Sequence, residues 1–309
     1  MPTFDSFCFV TAREFFFSPM SSSTTSTTPV GVYDSGFGGL TVLRELRREL
    51  PQLDYVYLGD SGRAPYGGRD VDTVLDFAEQ CVERLFGEGC RVVVVACHTV
   101  SCVALRHLQQ RYGSAERRVL GVTIPAAEAA VAATRGHIGF IGTSRTVASH
   151  TFRTEVRKLS ASVQVSEIAA PLLAPLVEEG WEETDIARLA VARYVGQFAE
   201  IDTLVLGCTH YPLLERAFRE VAPAGVQVLN PAPEVAARFA AWRARYPALA
   251  PEGAGRLRVL SSGDVTRFAR HGARFLGEEL PPVEHVGERR GRLALCPNET
   301  EPTGQIVRE

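Results

Sequence analysis

The chain reads as an α/β protein of two similar lobes, each a mainly parallel sheet flanked by helices, with an active site in the cleft between them. Three observations carry that expectation. Short β-branched and aliphatic runs alternate with amphipathic stretches from end to end, the pattern of parallel strands joined by crossover helices. One strand signature occurs twice, at Arg91 to Thr99 and at Thr203 to His210, and each copy ends in a cysteine followed by hydroxyl and imidazole groups. The length of 309 residues exceeds what one ordinary core holds, which favours two domains.

Residues 1–28 mix aromatic residues with a Ser/Thr run and are expected to form a disordered extension. Asp5, Arg13 and Glu14 interrupt its apolar stretch, which argues against a signal peptide. Val30 to Tyr33 is a strand, and Asp34-Ser35-Gly36-Phe37-Gly38-Gly39 turns tightly into a helix over Leu40 to Leu50, where Leu43, Leu46 and Leu50 share one face. These glycines are not a dinucleotide fingerprint, because Thr41 stands where the third glycine belongs. Asp54 to Leu58 is the next strand. The turn-rich loop Gly59 to Gly68 follows and can present backbone N–H groups to an anion. A helix from Val71 to Gly87 leads into the first cysteine strand, one helix is expected from Cys97 to Tyr112, and a strand over Val119 to Val122.

A second series opens at Ile124-Pro125, with an alanine-rich helix over 126–134, a strand at His137 to Ile141, a helix from Thr143 to Leu159 and a strand at Val163 to Ile168. Pro171 to Gly180 and a helix over 183–199 then feed the second cysteine strand. Beyond it the pattern gives a helix at Leu213 to Val221, a strand at Val226 to Leu229, a helix to Tyr246, a strand at Leu257 to Ser262 and a last helix opened by Gly263-Asp264. The expected division is a first lobe of 29–122 plus 231–285, a second lobe of 123–230, and a poorly ordered tail over 286–309, rich in Arg, Glu, Pro and Gly.

Composition excludes several function classes. A hydrophobic content of 45% with 22% charged residues is that of a soluble globular protein. No apolar run approaches the ~20 residues a bilayer span needs. The net charge of -3, with both signs interspersed, provides no footprint for nucleic acid. Seven cysteines without framework spacing suit reduced thiols in a cytoplasmic enzyme. Of these, Cys8, Cys81, Cys90, Cys102 and Cys296 read as small buried hydrophobes, and His107, His137 and His150 as surface or capping residues.

In open α/β sheets ligands bind at the carboxyl ends of the strands, so Cys97 and Cys208 are expected at one rim. Two opposed thiols suit a reaction that removes a proton from one face of a carbon and returns one to the other. A thiol serves in both roles because its reference pKa of roughly 8.5 lies near neutrality. Asp34 and Ser35 supply neighbours on one side, and Glu178 and His210 on the other. Thr99 and Thr209 are further hydroxyl donors. Lys158, the only lysine, falls on a helix away from any strand end and gives pyridoxal phosphate no anchor, so no cofactor is expected. Cys97, His98, Cys208 and His210 could also form a Cys₂His₂ metal set, but two distant strand ends do not resemble a local zinc knuckle, and no metal is expected. A lobe pair that binds a ligand without turning it over is the non-enzymatic alternative. Asp60, before a turn, suits a structural or a catalytic part equally.

Five motifs together resemble the bacterial glutamate racemases of the aspartate/glutamate racemase family: Asp34 to Leu43, the Gly59-Asp60 loop with Pro65-Tyr66-Gly67, Ala96-Cys97-x-Thr99-x-Ser101, Pro175 to Gly180, and Leu206 to Leu214. The match covers roughly residues 30 to 270, with the motifs in the family's order. The resemblance implies cofactor-independent interconversion of L- and D-glutamate for peptidoglycan synthesis; the cytoplasm is expected from the thiol usage, and a homodimer is the default expectation for an enzyme of this kind. It implies that Cys97 acts on the D-enantiomer, assisted by Asp34, and Cys208 on the L-enantiomer, assisted by His210 and Glu178. Ser35, Thr99 and Thr209 would hold the α-amino and α-carboxylate groups, and the backbone at Pro65, Tyr66 and Gly67 the side-chain carboxylate. An aspartate or hydantoin racemase is the nearest alternative. One position departs: the family pattern after the first cysteine is Asn-Thr, whereas this chain has His98-Thr99, placing a larger and titratable ring among the substrate-binding positions.

Overall fold

The computed structural model describes residues 28–289 and 292–295. In chain order it contains β1 (Val30–Asp34), α1 (Leu40–Glu49), β2 (Tyr55–Gly59), α2 (Val71–Gly87), β3 (Val92–Val95), α3 (His98–Val103), α4 (Leu105–Tyr112), β4 (Arg118–Gly121), α5 (Thr123–Ala133), β5 (His137–Gly142), α6 (Ser144–Ser149), α7 (Thr151–Leu159) and β6 (Gln164–Ala169). There follow α8 (Leu173–Glu178), α9 (Asp185–Val195), β7 (Thr203–Gly207), α10 (Glu215–Val221), β8 (Gln227–Leu229), α11 (Ala232–Arg245), β9 (Leu257–Ser261), α12 (Val265–Leu276), β10 (Val283–Arg289) and β11 (Arg292–Leu295).

The strands form two sheets. One runs β11-β10-β9-β2-β1-β3-β4 and the other β6-β5-β7-β8. Every pairing is parallel except the β10–β11 hairpin. The fold is thus the expected α/β architecture of two parallel sheets flanked by helices. β1, β3 and β7 are buried along their whole length, which explains why they read as unbroken apolar runs. Between the sheets lies one continuous apolar core, in which Val32, Leu40 and Leu43 pack with Leu206, Tyr211 and Phe218. Separate clusters cover the outer faces, one around Val56, Val93 and Leu260 and one around Ile138, Phe140 and Phe152.

Several boundaries differ from the sequence expectation. The helix after Cys97 divides at Ala104, and the one after Thr143 divides at His150, whose left-handed φ of 51° ends α6 before α7 starts. Periodicity cannot reveal such a break, because one residue leaves the apolar spacing on either side intact. The tail is a larger correction. Val286 to Arg289 and Arg292 to Leu295 are strands rather than poorly ordered chain, for β10 pairs with β9 and buries Val286 in the outer cluster of the larger sheet. Charged residues on both sides hide that signal in composition alone. The expected N-terminal extension, with Cys8, and the end of the chain, with Cys296, lie outside the described residues.

Phe140 stacks on Phe152 at 4.2 Å beneath Gly207, the last residue of β7. A Cβ on Gly207 would overlap the Phe140 ring and lie 2.8 Å from the Ile141 carbonyl oxygen. Gly207→Ala is therefore expected to destabilise the fold by about 1–3 kcal/mol through overpacking. An unchanged urea midpoint would show that the neighbouring ring can move aside freely.

Candidate active site

Three parallel strands deliver the site. β1 ends in Asp34 and the turn through Ser35 and Gly36, β3 runs into Cys97 just before α3, and β7 runs into Cys208, Thr209 and His210. α8 ends on Glu178, and the loop after β2 brings Pro65, Tyr66 and Gly67. All of these except Asp34 line one cavity of about 260 Å³, together with His98 and Thr99. Asp34 is fully buried behind the wall, so eleven of the expected positions meet at the cavity and the twelfth supports it.

The Cys208 arm forms a hydrogen-bonded line. His210 Nδ1 lies 3.8 Å from Cys208 Sγ, and His210 Nε2 donates to Glu178 Oε1 at 3.0 Å. Phe275 meets the imidazole edge-on at 5.1 Å and holds its plane. Burial opposes a charge on this ring, but Cys208 and Glu178 outweigh it and lift His210 to about 10. Burial likewise opposes a charge on Glu178, yet the hydrogen bond from His210 wins and lowers its carboxyl.

The Cys97 arm is built differently. Cys97 Sγ lies 3.5 Å from Ser35 Oγ. Burial, reinforced by the Asp34 charge and only partly offset by Ser35, pushes this thiol up to about 12. Asp34 makes no direct bond to Cys97. Its carboxylate accepts the Gly36 N–H at 2.9 Å and the Thr209 hydroxyl at 3.2 Å, tying the end of β1 to the end of β7. Burial raises the Asp34 carboxyl, against the pull of His210.

One feature is absent from the sequence reading, and for Asp60 the structure decides between two roles. Thr143 and Thr146, at the start of α6, form a hydroxyl triangle with Thr99 at 2.9–3.1 Å. The strand-end rule applied to β5 would have found Thr143. Asp60 proves to be a fully buried hub that accepts from Arg63, Ser262 and the Tyr66 hydroxyl, and so anchors the loop carrying Pro65 to Gly67. The rival metal set is not assembled: among the described residues no group of three His, Cys, Asp or Glu side chains is placed to hold an ion. Lys158 is on α7, paired with Glu155 at 2.6 Å. Cys81, Cys90 and Cys102 are buried as expected, while His107 and His150 are exposed.

The sequence model of the Asp/Glu/hydantoin racemase family matches residues 39–239. The chain belongs to that family. Its similarity to a glutamate racemase of Geobacter metallireducens is 39% identity over 83% of this chain and 96% of the relative. Among solved structures, the glutamate racemase of Francisella tularensis in complex with D-glutamate superposes with a TM-score of 0.78 at 27% identity, over 84% of this chain and 97% of that one. The glutamate racemase of Thermus thermophilus, in complex with β-chloro-D-alanine, gives 0.75 at 38% identity over 84% and 97%. For this racemase-family chain the matched stretch includes Cys97, Glu178 and Cys208, while Asp34 and Ser35 precede it. Among the described residues no helix is long and apolar enough to cross a membrane.

A histidine whose folded pKa exceeds its unfolded value contributes stability that is fully present below the unfolded pKa and is lost as pH rises through the folded one. For His210 that window runs from about 6.5 to about 10. Glu178→Gln removes the anion that helps hold the proton, so the stability gap between wild type and variant is expected to narrow across this window. Denaturant unfolding at a series of pH values measures it, and a constant gap would separate Glu178 from the His210 charge.

Proposed function

We infer that this racemase-family protein interconverts L- and D-glutamate through two cysteines acting on opposite faces of the α-carbon. The observation that carries the reading is the delivery of Cys97 and Cys208 from strands of different sheets into one small cavity. The relatives named as glutamate racemases, and the D-glutamate in the Francisella structure, support glutamate as the substrate.

In the L-to-D direction the Cys208 thiolate, next to the His210 imidazolium, takes the α-proton. The Cα–H electron pair remains on carbon, and the Cys97 thiol delivers its own proton to the other face. Cys97 suits the acid role because burial keeps it protonated. In the D-to-L direction the roles exchange. Asp34 then assists Cys97 from behind the wall, its charge drawing the substrate ammonium toward Cys97, where that cation screens the developing thiolate. Ser35, Thr99 and Thr209 hold the groups on the α-carbon, and the backbone at Pro65, Tyr66 and Gly67 holds the side-chain carboxylate. With no resident cofactor, acidity of the α-proton rests on desolvation and on donors fixed in place before the reaction. The product serves as a D-glutamate source for peptidoglycan. Five free buried thiols among the described residues suit a reducing cytoplasm, and a homodimer is the default assembly for such an enzyme.

Each of Cys97→Ser and Cys208→Ser is expected to lower racemisation by about 100-fold or more, the scale of a lost general acid or base. Chiral analysis combined with α-proton NMR in D₂O reads this. Near-wild-type turnover in either variant removes that cysteine from the mechanism, and faster turnover of aspartate than glutamate reassigns the substrate.

A further inference from the structure

α12 follows β9 of the larger sheet, yet one of its faces is applied to the Cys208 arm, whose parts follow strands of the smaller sheet. Phe268, His271 and Phe275 recur at helical spacing and share that face, with Arg274, three residues after His271, next to them. Phe275 meets the His210 ring edge-on. His271 stacks at 5.6 Å on Phe37, whose ring lies 6.3 Å from that of His210.

Arg274 reaches the other partner of the imidazole. Its Nη2 donates to the Val177 carbonyl at 2.9 Å and to the Glu182 carboxylate. Val177 directly precedes Glu178, the last residue of α8 and the acceptor for His210 Nε2. The same carbonyl takes the Gly180 N–H at 3.0 Å, so the guanidinium fills its second lone pair. It also lies against the turn at Gly180, where φ is 79° and a Cβ would have Arg274 as its nearest neighbour at 3.7 Å. α8 has six residues, too few to hold its own end in place, so the position of Glu178 depends on what grips this turn. A part-exposed ion pair contributes little by itself. This one differs because the arginine also ends on the backbone beside a site residue, while Glu182 matches its charge and leaves the Glu178 carboxylate to His210.

We propose that Arg274 is a positioning residue for the reaction: by gripping the Val177 carbonyl from α12 it fixes the end of α8, keeps Glu178 in line with His210, and so readies Cys208 for proton transfer. The inference rests on the racemase reading and adds to it a residue outside the cavity. Arg274 does not line that cavity, so its effect travels through Glu178. A displacement of the Glu178 carboxylate by about 1 Å is enough to break its hydrogen bond to the ring. The other charged groups around the imidazole are Cys208 beside it and Asp34 behind the wall, while Arg267 and His271 of α12 act on Glu178. These stay in place when only Arg274 is changed, and a fall in the proton affinity of His210 then reports on Glu178.

The test compares wild type with Arg274→Met, which keeps the apolar stem, Arg274→Lys, which keeps a cationic donor, Glu178→Gln, and Arg274→Met combined with Glu178→Gln. Mirror-image substrates are equally stable, so kcat/KM must fall by the same factor in both directions. Arg274→Met is expected to lower it about tenfold, and Arg274→Lys to recover most of the loss. In the free protein, the His210 ring signals in ¹H–¹⁵N spectra are expected to titrate about one pH unit lower in Arg274→Met than in wild type. In the Glu178→Gln background Arg274→Met is expected to change neither quantity further. If Arg274→Met does not fold, Glu182→Ala, which loosens the same guanidinium from its other side, is expected to give the same signs at smaller size. A wild-type His210 titration in whichever of these two variants folds, or an equal loss of kcat/KM with and without the Glu178 carboxylate, overturns the proposal. Wild type that does not racemise glutamate sinks the racemase reading instead, and the His210 titration still decides the part of Arg274.

Discussion

The close approach of the turn after β1 to the segment after β7 is the constraint on which the rest of the site depends. A Cβ on Gly38 would overlap Thr209 Oγ1 and lie 2.6 Å from His210 Nδ1, so any other residue here would push the two strand ends apart. Thr41 of α1 donates to the Thr209 carbonyl at 3.1 Å, and Tyr57 donates to the Gly36 carbonyl at 2.8 Å, which fixes the turn from both sides. Because the apolar core runs unbroken from one sheet to the other, this contact is backed by packing rather than by a few polar bonds. Opposed groups can share one α-carbon only if the walls that carry them cannot drift. Effective proton transfer needs geometry held to a fraction of an ångström.

The two arms of the site are chemically unequal although they arise from similar strands. Cys208 has an imidazole and a carboxylate in line with it, so its proton has a nearby destination. Cys97 has a hydroxyl and, behind it, a buried carboxylate, an environment that disfavours its anion until a cation arrives. The substrate ammonium is such a cation. In the proposed mechanism the resting charge distribution favours one direction of proton flow, and the bound amino acid evens the balance.

Much of this was legible in the sequence for a simple reason. Strands buried on both faces need unbroken apolar residues, and polar residues that interrupt such a run mark the strand's exposed end. Cys97 and Cys208 announced themselves in this way, as did Asp34. The breaks at Ala104 and His150 were not legible because a single residue leaves the apolar spacing on either side intact, and β10 was not because it depends on a neighbouring strand. β10 becomes a strand only because β9 offers it an open edge.

By itself the sequence determined the alternation of strands and helices, the two cysteine-ended strands and the polar groups that follow each. These are local consequences of residue size, branching and polarity. Only the tertiary structure decided how those groups combine. It linked His210 to Glu178, turned Asp34 toward Thr209 rather than Cys97, made Asp60 the anchor of the Tyr66 loop and left both nitrogens of His98 unpaired. Such pairings join residues as distant as 175 positions in the chain, and they are set by how two sheets pack, a quantity that no single stretch of sequence encodes.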